Sequence, residues 1–163
     1  PNVIHLFISE LQQLGKDVTV VTQNIDGLHE KAGSLKIHNL HGTIHKNYCV
    51  DCKKEYDIDY IKQTDGIPYC KECGGIIRPA ITFYGEFLDK ETFKQARLDT
   101  KNADLLIVLG TSLVVYPASE IVSHFRGKNL VIINKKRTKF NLQANLVIQE
   151  DFAKVFNALL KEL

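Results

Sequence analysis

The four cysteines of the chain fall as two close pairs, Cys49-x2-Cys52 and Cys70-x2-Cys73, with seventeen residues between the pairs. No other feature limits the possible folds so strongly. Each pair of thiols can grip one edge of a tetrahedral metal, and the spacer is long enough to bring the chain back as a short ribbon of strands. Gly74 and Gly75 follow the second pair and permit a tight turn around an ion. The alternatives are two disulfides or four unrelated buried thiols. A disulfide framework suits a small secreted scaffold better than a chain of this length and 44% apolar content. Four thiolates leave no open coordination position, so the expected zinc is structural, and the chemistry must lie on either side of it.

With 163 residues the chain can bury a real core and can carry one domain with an insert. The 21 basic and 19 acidic residues leave a formal charge of +2, which gives no electrostatic case for nucleic acid. Within residues 44–79 the lysines are offset by Asp51, Glu55, Asp57, Asp59, Asp65 and Glu72, so that segment is not expected to offer a phosphate-binding face. No apolar run is long enough for a bilayer, and Pro1–Leu6 shows neither a basic leader nor a cleavage pattern. Reduced, metal-poised cysteines point to the cytoplasm. Methionine is absent and the chain opens inside an expected helix, so a partial chain is expected.

Taken in order, Pro1–Leu14 reads as an amphipathic helix with Val3, Leu6, Phe7, Leu11 and Leu14 on its apolar face and Gly15 as its stop. Val18–Thr22 is a β-branched strand without alternation, as in a buried parallel sheet. Gln23, Asn24, Ile25, Asp26 and Gly27 sit at its carboxyl end, where open α/β sheets bind ligands; a plain polar turn is the other reading. Leu28–Ala32 is a helical turn ending at Gly33. His29, His38, His41 and His45 follow closely, and an imidazole, titrating near ~6.5, suits a general base; position alone does not choose among them.

Past the cysteines, Ala80–Phe83 is an expected strand, and Asp89–Asp99 a polar helix. Leu105–Leu109 has the composition of a core strand and ends in Gly110-Thr111-Ser112, with a helix over Ala118–Phe125 soon after. A strand, a turn of small residues and a helix can cradle phosphate through backbone N–H groups, although a tight connection without ligand looks the same. Leu130–Ile133 and Ala144–Ile148 are further strands, Asn134 ends the first of them, and Lys135-Lys136-Arg137 forms a solvated loop. Asp151 is the expected cap of a closing helix, Phe152–Leu163, with Val155, Phe156, Leu159, Leu160 and Leu163 on its apolar face. The alternation predicts an α/β chain: a Rossmann-like parallel sheet with helices, interrupted by a small four-cysteine module. The expected division is 1–43 and 80–163 for the Rossmann-like part and 44–79 for the zinc-binding small domain.

The run Thr22-Gln23-Asn24-Ile25-Asp26-Gly27-Leu28-His29, then Ala32-Gly33 and Leu40-His41-Gly42, resembles the signature of sirtuins, the Sir2 family of NAD-dependent protein-lysine deacylases. The likeness continues through the four cysteines, Phe83-Tyr84-Gly85-Glu86, Gly110-Thr111-Ser112-Leu113, Val115-Tyr116-Pro117-Ala118 and Ile133-Asn134, in the family's order.

The resemblance implies roles position by position. His41 corresponds to the catalytic base, Gln23 to a contact with the NAD ribose, and Asn24, Asp26 and Ile25 to the nicotinamide pocket. Gly110, Thr111 and Ser112 correspond to the turn around the dinucleotide, Asn134 to the adenosine ribose contact, and Asp151 and Phe152 to the adenine side. Phe83, Gly85 and Glu86 correspond to the cleft where a peptide lies as an added strand. In the implied reaction the acyl oxygen attacks C1′ of the nicotinamide ribose, nicotinamide leaves, and His41 activates the 2′-hydroxyl. Water then completes release of lysine and O-acyl-ADP-ribose. The partner is an acyl-lysine protein or peptide, and neither direct nucleic-acid contact nor a membrane is implied; a monomer is expected.

The chain departs from the family pattern in lacking the Gly-Ala-Gly segment and the loop after it, so on its own it is expected to be catalytically incompetent. Asn39 stands where relatives carry an acid, Lys135 and Lys136 where less basic residues are common, and Glu150 where glycine is frequent. Sirtuin-type mono-ADP-ribosyl transfer opens the same glycosidic bond and is the alternative activity. A non-enzymatic zinc-ribbon module is the third reading, though it would not need the polar cluster after Thr22.

Overall fold

The computed structural model describes residues 1–162; Leu163, expected on the closing helix, lies outside them. The chain runs α1 (Val3–Gln13), β1 (Val20–Thr22), α2 (Leu28–Lys31), β2 (Ile37–Asn39), β3 (Gly42–Cys49), β4 (Glu55–Asp57), α3 (Ile58–Lys62), β5 (Ile77–Ile81), α4 (Lys90–Asn102) and β6 (Leu105–Leu109). A 3₁₀ helix (Ala118–His124), β7 (Asn129–Ile133), β8 (Leu146–Ile148) and α5 (Phe152–Leu159) complete it. The helix expected after Pro117 is thus the tighter 3₁₀ form.

The parallel strands form a Rossmann-like layer in two pieces, β1-β2 and β6-β7-β8, rather than one ladder. Between them in sequence lies an antiparallel sheet ordered β4-β3-β5. Pro79 falls inside β5, which tolerates it because β5 is the edge of its sheet.

Alternation along β7 sends side chains to both faces. Leu130 and Ile132 join Val108, Leu113, Val122 and Phe140 on one face. Ile133 joins Ile4 and Phe7 of α1 and Phe156 of α5 on the other. Phe156 is 2% exposed, and burying such a ring contributes about 1.5–3 kcal/mol. Two expectations fail here. Leu105 and Ile107 of β6 are 48% and 39% exposed, since among the described residues β6 pairs only with β7 and only Val108 and its neighbours face the core. On α1, Leu6 and Leu14 point outward, while Ile4, His5, Phe7 and Ser9 are buried.

His5 is built in twice over. Its ring closes a capping box with Asn2, and it packs against the His29 ring of α2 with centroids 4.5 Å apart. Burial holds both imidazoles below their ordinary pKa, so the pair stays neutral and pins α1 to α2. That contact sets the position of the polar turn just before α2. Among the described residues, no helix is long and apolar enough to cross a membrane.

Candidate functional site

The segment 23–27 leaves β1 and is folded by its own polar groups. Asn24 N donates to Thr22 Oγ1 at 3.0 Å, and Leu28 N donates to Asp26 Oδ1 at 3.0 Å, the Asx turn that starts α2. Ile44 N donates to the Ile25 carbonyl at 3.1 Å, and His45 Nε2–H donates to the Asp26 carbonyl at 3.0 Å. Gly27, at φ 67, leaves room for that imidazole, since a Cβ there would lie 2.6 Å from the His45 ring. His45 thus braces the turn, where the sequence had offered it only as one of four candidate general bases.

His41 follows buried Leu40 directly after β2. Its Nδ1 lies 3.0 Å from the Gln23 carbonyl. A carbonyl only accepts, so Nδ1 carries the proton and Nε2 carries the lone pair. The Gln23 main chain therefore sets the tautomer a general base needs. Gly42, at φ 76, lets β3 turn away at once: a Cβ would sit 2.0 Å from the Ala80 carbonyl oxygen of β5. Thr82 N donates to the His41 carbonyl at 2.9 Å, which draws the segment after β5 alongside the histidine.

That segment, Phe83–Phe87, is held from below. Arg78 of β5 makes a two-pronged pair with Glu86, Nη1 to Oε1 at 2.6 Å and Nη2 to Oε2 at 2.9 Å. Phe83 N donates to Glu86 Oε2 at 2.9 Å, and the guanidinium lies 4.7 Å from the Phe83 ring centroid. The Arg78 guanidinium, with help from the Phe83 amide, holds the Glu86 carboxyl down to about 2. Gly85 turns the loop at φ 88, and Tyr84 and Phe87 stand out fully exposed. Arg78 carried no signal in the sequence, because its partner belongs to another element.

A second group gathers at the carboxyl ends of β6 and β7. Gly110, at φ 57, faces Phe152 of α5, whose ring lies 3.5 Å from where a Cβ would be. A side chain at Gly110 would meet that ring and narrow the space over the turn. Asn134 Nδ2 donates to the Thr111 carbonyl at 3.0 Å and to the Lys136 carbonyl at 2.9 Å, tying the two strand ends together. Asp151 caps α5 through Ala153 N at 2.8 Å and pairs with Lys135 Nζ at 2.7 Å. Ser112 is exposed beside them. Among the described residues no hydrogen bond joins the two groups. Their link is apolar: Leu40, next to His41, packs with Ala118 and Ile121 of the 3₁₀ helix and with Ala96 of α4.

All four cysteine sulfurs lie within 4.8 Å of one another, with Cys49–Cys73 at 3.4 Å and Cys52–Cys70 at 3.5 Å. A tetrahedral zinc with Zn–S of about 2.3 Å sets sulfurs about 3.8 Å apart, so the cluster fits such an ion with no position left open. Tyr56 Oη donates to Cys70 Sγ at 3.1 Å and accepts from Lys71 N at 2.9 Å. The Tyr56 hydroxyl is the main reason the Cys70 thiol is held down to about 6, as suits a metal-bound thiolate.

The comparison with known families agrees with this geometry. The Sir2 family model matches residues 1–117. The chain belongs to the Sir2 family. Among curated relatives of this Sir2-family chain, an NAD-dependent protein deacetylase of Clostridium acetobutylicum is 44% identical over 161 residues, 98% of this chain. One of Staphylococcus epidermidis is 47% identical over 159 residues, again 98% of this chain. The chain spans 66% of the length of the first and 64% of the second. A solved structure described as "Sir2-p53 peptide-NAD+" superposes with a TM-score of 0.91 at 40% identity, over 99% of this chain and 70% of that one. Another, of Sir2Tm bound to a propionylated peptide, gives 0.92 at 40% identity, over 99% of this chain and 70% of that one.

Proposed function

We propose that the protein carrying this chain removes acyl groups from protein lysines at the expense of NAD. The observation that carries the reading is His41, with Nδ1 fixed on the Gln23 carbonyl and its own carbonyl bound by Thr82 N, next to the Phe83–Glu86 loop. NAD, when bound, supplies a glycosidic bond whose opening releases nicotinamide and leaves C1′ open to the acyl oxygen. In this reading His41 Nε2 takes a proton from the ribose hydroxyl. Asn24 and Asp26, held by the turn, line the nicotinamide end with Ile25, and Gln23 faces the ribose. Gly110, Thr111, Ser112 and Asn134 hold the dinucleotide, with Asp151 and Phe152 at its adenine side. The outer edge of β5 leads into the loop at Phe83, Gly85 and Glu86, where a substrate peptide adds as a strand. Glu86 acts by shaping that loop, since Arg78 and the Phe83 amide already occupy its carboxylate.

Two organisational points belong to the same reading. Residues 44–79 act as a zinc-bound small domain set between the NAD-binding stretches 1–43 and 80–163, supported by its separate core of Cys49, Cys70 and Ile77. Four free thiols gathered as a candidate metal site favour the reducing cytoplasm.

The test is nicotinamide release from NAD in the presence of an acetyl-lysine peptide, with the peptide and a carrier protein also checked for added ADP-ribose. Deacetylated peptide formed one-for-one with nicotinamide is expected. His41→Ala is expected to lower the rate at least about a hundredfold, the usual worth of a positioned base, with zinc content unchanged. Retained full activity in that variant would sink the assignment, and ADP-ribosylated protein without deacetylation would sink the reaction.

A further inference from the structure

The ladder between β3 and β5 is broken in one place. Gly42 and Thr43 pair with Ile81 and Ala80, but the next pair is Asn47 with Pro79, so Ile44, His45 and Lys46 have no partner on β5. Extra residues on one strand leave their polar groups free for other partners. Ile44 N and the His45 ring bind the Ile25 and Asp26 carbonyls of the 23–27 turn. Buried Asn47 fills the bulge, donating from Nδ2 to the Ile44 carbonyl at 3.1 Å. The break separates the stretch of ladder that carries the cysteine core from the stretch beside His41.

Arg78 crosses that break. On the ladder it stands opposite Tyr48, which precedes Cys49, and it follows Ile77, which packs with Cys49 and Cys70. Its guanidinium carbon lies 5.9 Å from the Tyr48 ring centroid and 4.7 Å from the Phe83 ring centroid, both within cation–π range. Nη2 also donates to the Ile81 carbonyl at 2.9 Å, and the two-pronged bond to Glu86 completes the set. One side chain rooted beside the cysteines therefore holds the last residue of β5 and both ends of the Phe83–Glu86 turn. That side chain is only 25% exposed, so solvent screens its pair less than a surface pair.

The shape of the turn does not need this arginine. Glu86 N donates to the Phe83 carbonyl at 3.0 Å and Gly85 supplies the positive φ, so the turn closes on itself. What Arg78 adds is placement, because its other contacts lie on β3 and β5.

We propose that Arg78 is a positioning residue for the acyl-lysine peptide: from its seat on the cysteine core it places the Phe83–Glu86 loop at the edge of β5, so that loss of the metal reaches the peptide through it. The peptide half of this rests on the deacylase reading above. The first test is steady-state deacetylation by the protein carrying this chain, with acetyl-lysine peptide and NAD varied in turn. Arg78→Gln is expected to raise KM for the peptide about tenfold, and KM for NAD and kcat to change less than about twofold. Arg78→Lys keeps the charge without the fork and is expected to recover only part of the loss. Tyr48→Leu removes the ring on the cysteine side and is expected to raise KM for the peptide in the same direction, with zinc content and melting temperature retained. Equal rises for peptide and NAD, full recovery by lysine, or no effect of Tyr48→Leu overturns the assignment. Should Arg78→Gln fail to fold, Glu86→Gln cuts the same pair from the loop side and is held to the same outcomes.

The second test needs no activity. Chelation is expected to speed amide exchange at Phe83 and Glu86 about tenfold in the wild type, and less than about twofold in Arg78→Gln, where the link is already cut. Equal increments in the two proteins overturn the proposal. A wild type that shows no deacetylation falls on the deacylase reading instead, and the exchange comparison then decides whether Arg78 places the loop.

Discussion

At the scale of single residues, the site depends on a backbone that ordinary side chains would block. Gly42 sits at φ 76 with its missing Cβ aimed 2.0 Å from the Ala80 carbonyl oxygen, while Gly15, at φ 80, has nothing within 4 Å. Substitution by alanine at Gly15 incurs only left-handed strain, about 1 kcal/mol. Gly42→Ala adds a clash with main chain that cannot swing aside, so a loss of about 3 kcal/mol or more is expected. Urea denaturation of the two variants measures both; equal losses would mean that the β3–β5 contact yields. Leu40-His41-Gly42 was legible in the sequence as a motif, but the reason for its glycine was not, because Ala80 lies on a strand beyond the whole cysteine segment. His45 shows the same limit. Its imidazole was one of four candidates, and only its 3.0 Å contact with the Asp26 carbonyl shows that it holds the turn.

At the scale of elements, the loop after β5 is set by one ion pair. The Arg78–Glu86 pair and the Phe83 amide stabilise the ionised Glu86, so its pKa of about 2 lies below the ordinary 4.5. The sign follows from that depression. The folded loop is favoured fully above about pH 4.5, and the advantage is lost as pH falls from there toward 2. Carboxyl carbon NMR of Glu86 is expected to titrate near 2 in the native protein and to move up toward the ordinary value in Arg78→Gln. A titration unchanged by that substitution would show that the main-chain amide alone holds the carboxylate. The strand expected over Ala80–Phe83 was shifted by the same chemistry: pairing runs over Ile77–Ile81, and Phe83 belongs to the clamped turn. β6 was misjudged for a related reason. Five apolar residues in a row, Leu105–Leu109, read as a buried strand, yet burial depends on neighbours, and β6 has a partner only on its β7 side among the described residues. The Asp151 cap was legible, since it acts within its own helix and needs no distant partner, whereas Asp89 was read only as part of its helix and turns out to be the cap.

At the scale of the whole molecule, the chain has cores of unequal independence. The faces of the β6-β7-β8 sheet are covered by large aliphatic and aromatic clusters that owe nothing to a metal. The core cluster of the cysteine module is Cys49, Cys70 and Ile77, with Tyr56, Tyr60 and Ile61 partly buried around them, so two of its three residues are candidate metal ligands. Its expected position between two α/β stretches was readable from cysteine spacing, because metal geometry imposes that spacing locally. The order of the described strands was not, because strand order depends on contacts that no local pattern encodes. Removing zinc should therefore unfold the molecule unevenly. Without the ion the four thiols, Tyr56 and the knuckle turns lose what orders them, and the remaining apolar burial is too small to offset the chain entropy of the module. Amide exchange after chelation is expected to rise by orders of magnitude at Lys53, Gly74 and Tyr60, whose bonds lie in the knuckles and α3, while Val131, Ile132 and Ile133 in β7 stay protected. The antiparallel pairing of Gly42 and Thr43 with Ile81 and Ala80 lies outside the knuckles and is expected to loosen only in part. That intermediate result carries the functional consequence, because Gly42 adjoins His41 and Thr82 binds its carbonyl. On the proposed deacylase reading, chelation should thus weaken peptide binding more than dinucleotide binding. Loss of β7 protection in step with the module would instead show that the chain folds as one cooperative unit around the metal.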